Sequence, residues 1–369
     1  MCCEMGNGVC CSFLELSGLG HVRLGQMVVV SLRVVMINKP FRAPWVGGMG
    51  WITVPPQTYG GLQWVVANII DGLLALGHEV VLLGAPGSAA QDGLAVVDIG
   101  EPDAIRRWLA ENWGRYDVVH DHALGDVFAR GDAVGAPYLG TWHMTGRDNY
   151  PCNAVYLSES HRAEAGVGHG HPVVRIPVNA DKYPVGHVRA DFLLFMGRVS
   201  PWKGALEAVE FAHNVGAELR IAGPSWEPAY RDQIEGRFGD GVHFEGEVGG
   251  LRRLGLLRAA RALLVLSQPV QGPWGQVWRE PGSTVVSEAA ACGTPVIVTD
   301  NGCLPELVAG VGVMVPSGPL PSPEGCRRLL GLLPPAAAVR AQAIAAWSHI
   351  DIAARYVALY QRVIDGAHW

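Results

Sequence analysis

The chain has little lysine, no Asp-x-Asp pair, no long apolar run and no cysteine framework. Of its 28 basic residues only Lys39, Lys182 and Lys203 are lysines, and 34 acidic residues bring the net charge to −6. No excess positive charge is left to neutralise a phosphate backbone, so nucleic acid is excluded as the main partner. Four of the eight cysteines (Cys2, Cys3, Cys10, Cys11) crowd the N-terminus and the others (Cys152, Cys292, Cys303, Cys326) are scattered without CxxC spacing. Such usage fits neither a disulfide scaffold nor a zinc site. No apolar stretch approaches the roughly 18 residues of a membrane span. Residues 1–26 lack a basic segment followed by an apolar one, so they read as a disordered or added tail rather than a secretory leader. A cytoplasmic location is expected. Between residues 27 and 186, 11 Lys and Arg face 15 Asp and Glu, which leaves no polybasic face and makes membrane association at most peripheral. Without Asp-x-Asp, the pair through which many sugar-nucleotide enzymes hold a divalent cation, any diphosphate must be neutralised by side-chain cations and N–H dipoles. Neither a metal nor a cofactor is expected.

What is present is apolar material: 49% of the 369 residues are hydrophobic and 17% charged, enough for two cored domains. Short apolar runs alternate with helix-length amphipathic segments, the pattern of βαβ units around parallel sheets. Val28–Asn38, Glu79–Leu83, Val96–Ile99, Asp117–His120, Tyr138–Trp142 and Ala154–Leu157 form one set of expected strands. Phe192–Met196, Glu218–Ala222, Val242–Phe244, Ala262–Leu266, Pro295–Thr299 and Gly312–Val315 form a second. Two doubly wound domains follow, covering 27–185 and 186–349 and joined near Val178–Arg189, with a last helix in 350–369.

Three motifs carry candidate chemistry. Tyr59-Gly60-Gly61 opens a helical pattern, where adjacent glycines let backbone N–H groups approach an anion; a plain turn is the alternative. These glycines come about twenty residues after the first strand, too late for a nicotinamide fingerprint. Gly197 to Gly204 (GRVSPWKG) follows the first strand of the second half, placing Arg198 and Lys203 where open α/β sheets bind ligands. A planar fork and a mobile point charge suit two phosphates, although two solvated cations are an equal reading. Glu280 to Glu288 (EPGSTVVSE) sets one carboxylate before a helix and another inside it, with the amides of Ser283, Thr284 and Val285 aimed between them. Vicinal hydroxyls of a sugar would suit such a pair. His120, His122 and His143 end strands of the first half; the first two read as structural, and His143 is the stronger site candidate.

Together these motifs resemble the family-four retaining glycosyltransferases of GT-B fold, over about residues 32–366. Glu280–Glu288 with its continuation AAACGTPVIVTDNGCLPELV is similar to the family's E-x7-E segment, and Gly197–Gly204 to its G-R-x-x-x-x-K-G. Pro55-Pro56 with Tyr59-Gly60-Gly61 resembles its glycine loop, and WSHIDIAARYVALYQRVI its terminal helix, which crosses back onto the first domain. The resemblance implies two Rossmann-like domains facing each other across a cleft. It implies hexosyl transfer from a nucleoside-diphosphate sugar to a small-molecule or lipid-linked acceptor, with retention and without metal. A nucleotide-sugar epimerase and a non-catalytic sugar-nucleotide-binding protein are the alternatives. Arg198 and Lys203 would hold the diphosphate, with Gly197 and the amides of Gly60, Gly61 and 283–285 beside it. Glu288 would take the ribose and Glu280 the donor sugar. His143 would lie next to the transferred sugar, and Phe244, Gly246 and Val248 would flank the base. The family's Phe-Gly is replaced here by Gly282-Ser283, which alters the wall on the sugar side, and its frequent Glu by Gln63.

Overall fold

The computed structural model describes residues 31–38, 41–43, 50–99, 101–186, 188–272 and 275–369; the expected N-terminal tail lies outside them. Strands β1 (Arg33–Ile37), β2 (Glu79–Gly84), β3 (Leu94–Asp98), β4 (Val118–Asp121), β5 (Tyr138–Thr141) and β6 (Ala154–Val155) form a parallel sheet in the order β3-β2-β1-β4-β5-β6. Strands β7 (Phe192–Met196), β8 (Glu218–Ala222), β9 (Val242–Gly246), β10 (Ala262–Val265), β11 (Val296–Thr299) and β12 (Gly312–Val315) repeat the arrangement as β9-β8-β7-β10-β11-β12. Each order is the Rossmann one, which reverses direction beside its first strand and opens a crevice there, at the strand C-termini. The runs are apolar along their length because helices cover both sheet faces: Val34 to Ile37 are completely buried, alternate residues entering different cores.

Helices α1 (Gly61–Ala75), α2 (Pro102–Asn112) and α3 (Glu159–Glu164) belong to the first lobe. In the second are α4 (Ala205–Val215), α5 (Pro228–Phe238), α6 (Gly250–Ala259), α7 (Thr284–Ala291), α8 (Leu304–Leu307) and α9 (Pro323–Gly331). α10 (Ala336–Trp347) and α11 (His349–Ile364) close the chain. All twelve expected strands are present. The sequence pattern did not reveal α3, α8, α9 or α10. In α10 apolar and small residues are spread around the axis, leaving no 3.6-residue stripe, and what holds it is contact with α7.

α10 packs on the second lobe and α11 on the first. Gly72, in the middle of α1, permits the second contact: a Cβ there would lie 2.2 Å from the His349 carbonyl oxygen and 2.6 Å from Ala353 Cβ. The chain passes between the lobes twice, side by side, where Val178 N donates to Trp347 O at 2.8 Å. Ser348 caps α11 by accepting from Asp351 N. The two passages are also paired through the Val178 and Ser348 backbones.

Candidate active site

Residues from both lobes enclose a cavity of about 650 Å³. Its central feature is a meeting of helix ends. α1 starts at Gly61 and α7 at Thr284, and neither has a side-chain cap or an acidic residue in its first turn. By contrast α3, α9 and α11 are each capped by a serine. The two uncapped ends face each other closely, since a Cβ built on Gly61 would lie 3.8 Å from Thr284 Oγ1. Each therefore presents unsatisfied N–H groups and roughly half a positive charge to the same space. Gly60, Gly61, Ser283, Thr284 and Val285 all line it.

The 3₁₀ turn Pro201–Lys203 carries Lys203 from the end of β7 into this cavity. Its ammonium bonds both Glu280 oxygens, at 2.7 and 2.9 Å, and lies 4.5 Å from the centre of the Trp278 ring. Glu280 Oε2 also accepts from Ser267 Oγ at 3.1 Å and Trp278 Nε1 at 3.0 Å. An ammonium has three N–H donors, so one remains for a ligand. Arg198, beside Gly197, lies flat on Trp226 at 3.4 Å and hydrogen-bonds to the Tyr59 side chain across the lobes. Burial pulls the guanidinium below its ordinary pKa while Tyr59 opposes the shift.

Glu288 is 1% exposed, and its two oxygens accept from the Tyr183 hydroxyl at 2.9 Å and from Arg253 Nη2. The residue expected to meet ribose is thus already held by two groups that nothing in the linear sequence marks. Each carboxylate oxygen keeps a lone pair for a diol. Glu247 completes the acids of the site: burial pushes its carboxyl up to about 7, against a bond from the Tyr59 amide. With Lys203 and Arg253 paired to carboxylates, Arg198, Arg42 and the two helix ends supply further positive charge.

His143 and Val248 also line the cavity, as does Gly282. A Cβ on Gly282 would approach Ile176 Cδ1 to 2.6 Å, so these N-lobe side chains fill the volume the family's phenylalanine would need. Phe244 and Gly246, expected beside the base, are not among the residues that line the cavity. Phe244 packs into the outer core beneath Arg231. Gly246 lies at a bulge, where Ala222 pairs with it and Glu245 is skipped. The bulge turns the strand end, so Glu247 and Val248 reach the cavity instead. Away from the cavity, Glu306 of α8 accepts from Glu159 N and Ser160 N at the start of α3 and pairs with Arg175, bracing the lobes.

Two Rossmann-like lobes around a cleft that gathers cations and helix N-termini define a GT-B protein. A model of the glycosyl transferases group 1 family matches residues 190–330. The crystal structure of AviGT4, a glycosyltransferase involved in Avilamycin A biosynthesis, is 51% identical with a TM-score of 0.86, covering 92% of this chain and 99% of that one. The chain belongs to the group 1 glycosyltransferases. The fold is shared at 19% identity by sucrose-phosphate synthase from Thermosynechococcus elongatus (TM-score 0.66, covering 91% and 100%). Anabaena HepE in complex with UDP shares it at 15% identity (TM-score 0.65, covering 89% and 100%). No curated protein sequence matches the chain.

Proposed function

We propose that this glycosyltransferase moves a hexosyl group from a nucleoside-diphosphate sugar to an acceptor hydroxyl, with retention at the anomeric carbon and without a metal. The observation that carries this reading is the convergence of two uncapped helix N-termini with Arg198 and Lys203 on one cavity. That set of donors suits a diphosphate, and it is preorganised where charge grows as the glycosidic C–O bond to phosphate breaks. The acceptor oxygen bonds to the anomeric carbon on the face the phosphate leaves, and its proton passes to a departing phosphate oxygen. Glu280, with both oxygens engaged by four donor contacts, is poorly placed as a covalent nucleophile. It holds Lys203 and borders the donor sugar, Glu288 takes the ribose hydroxyls, and Val248 flanks the base. The involvement of AviGT4 in Avilamycin A biosynthesis supports a small-molecule acceptor. No single helix among the described residues is long and apolar enough to cross a membrane.

Thermal-shift titration with nucleoside diphosphates and their sugars tests the donor site, because a ligand of the folded state raises its stability by mass action. Product formed with a hydroxylated acceptor is then analysed by NMR for anomeric configuration, with and without EDTA. Retained configuration and EDTA-resistant turnover are expected. An absence of any stabilising nucleoside diphosphate, an inverted product, or activity restored by magnesium after chelation would each overturn the reading.

A further inference from the structure

Three histidines at the C-terminal edge of the first sheet form a buried chain behind the cavity. His143, on the cavity wall, has its Nε2 2.8 Å from Nδ1 of His122. Since Nε2 is engaged there, Nδ1 is the ring nitrogen left for a ligand. His122 is completely buried, and among the described residues its Nε2 has no hydrogen-bond partner. Behind it, the His120 ring lies 4.2 Å away, tied at 2.7 Å to the Tyr360 hydroxyl and at 2.7 Å to Thr141 Oγ1. Thr141 is bonded in turn to Tyr356, so two tyrosines of α11 lock the trio from below.

Burial keeps these rings neutral near pH 7: His143 is pushed down to about 3, and His120 and His122 fall well below the ordinary value. The charged forms that bear on them are one another's and that of His161 on α3. Asp121, between His120 and His122 in the chain, bonds instead to Ala123 N and the Tyr138 hydroxyl. A neutral imidazole carries one N–H. Were His143 the donor in the pair, the His122 proton would sit on Nε2, an orphaned buried N–H of a kind folded proteins rarely tolerate. In the opposite arrangement no N–H is stranded.

We propose that His122 is the positioning residue for His143: donating from Nδ1 to His143 Nε2, it keeps the His143 proton on Nδ1. The cavity then meets a neutral N–H donor rather than a base. Such a group hydrogen-bonds an oxygen of the bound sugar or acceptor and takes no proton, which leaves the acceptor's proton to the departing phosphate. This rests on the cavity being the transfer site.

The test uses the full chain labelled with 15N-histidine and long-range 1H–15N NMR, with His143 assigned by comparison with His143→Gln. The expected result is a proton on Nδ1 of His143. His122→Asn, whose side-chain amide reaches the place of Nδ1, keeps that tautomer and most of the turnover. His122→Leu frees His143, and kcat falls about tenfold or more while the donor KM stays within about threefold. The same change lets the His143 proton move between its two ring nitrogens, which the 15N shifts read directly. A purely structural loss would lower kcat and leave that tautomer as in wild type. A proton on Nε2 of His143 in wild type overturns the proposal, as does a His122→Leu enzyme with the wild-type tautomer. The NMR arm does not depend on turnover, so an inactive wild-type preparation with the expected tautomer would count against the transfer reading alone. If His122→Leu does not fold, wild type and His122→Asn still decide the tautomer.

Discussion

Replacing Lys203 by alanine separates two things the side chain does. In the folded chain it supplies two of the four contacts on Glu280, whose side chain is 6% exposed. Lys203→Ala strands that carboxylate with two neutral donors, Ser267 and Trp278. Breaking a buried pair this way costs about 3–5 kcal/mol, and the low end applies because Lys203 is itself 22% exposed. A urea titration should therefore show a loss of about 3 kcal/mol. Adding Glu280→Gln removes the stranded charge and should restore stability to within about 1 kcal/mol of wild type. Turnover should behave differently. The third ammonium proton is the one available to the leaving diphosphate, and losing such a donor lowers kcat by about 10²–10³, measured as nucleoside diphosphate released at saturating donor. A Lys203→Ala enzyme within about tenfold of wild-type kcat would refute the leaving-group role. A double variant as unstable as the single one would refute the burial argument.

Other perturbations have expected signs. Gly72→Ala would stabilise an isolated helix by about 1 kcal/mol, but against the His349 carbonyl it should destabilise the protein by about 2 kcal/mol in a urea melt; stabilisation would mean that α1 and α11 are not in close contact. Folding raises the Glu247 carboxyl to about 7, so its contribution to stability is full below its unfolded pKa and is lost as pH rises through 7. Glu247→Gln should accordingly gain on wild type between pH 5 and pH 8, and an equal urea midpoint difference at both would contradict the shift. Glu306→Ala leaves the Glu159 and Ser160 amides of α3 without their carboxylate and frees Arg175, with an expected loss of about 1 kcal/mol by thermal or urea melting; no change would place those amides in water.

Local pattern was enough for the strands, because a strand buried on both faces must be apolar along its length, and Val34–Ile37 or Leu263–Val265 say so without a partner. It was also enough to place Gly60-Gly61 and Ser283–Val285 at helix N-termini, since a glycine pair before an apolar-periodic run and Pro-Gly-Ser before another are local signals. α10 escaped notice because its sequence lacks a one-sided stripe.

The doubly wound layers, and which cations and acids lie near strand and helix ends, were legible in the chain because they depend on periodicity and on residues a few positions apart. The pairing of those charges was decided only in three dimensions. Lys203 finds Glu280 across 77 positions and Tyr183 finds Glu288 across 105, and no local rule relates such distances. The same holds where one skipped residue at Glu245, just past Phe244, accompanies the arrival of Glu247 at the cavity. A strand's faces follow its register with its neighbour, and that register exists only once the sheet has formed.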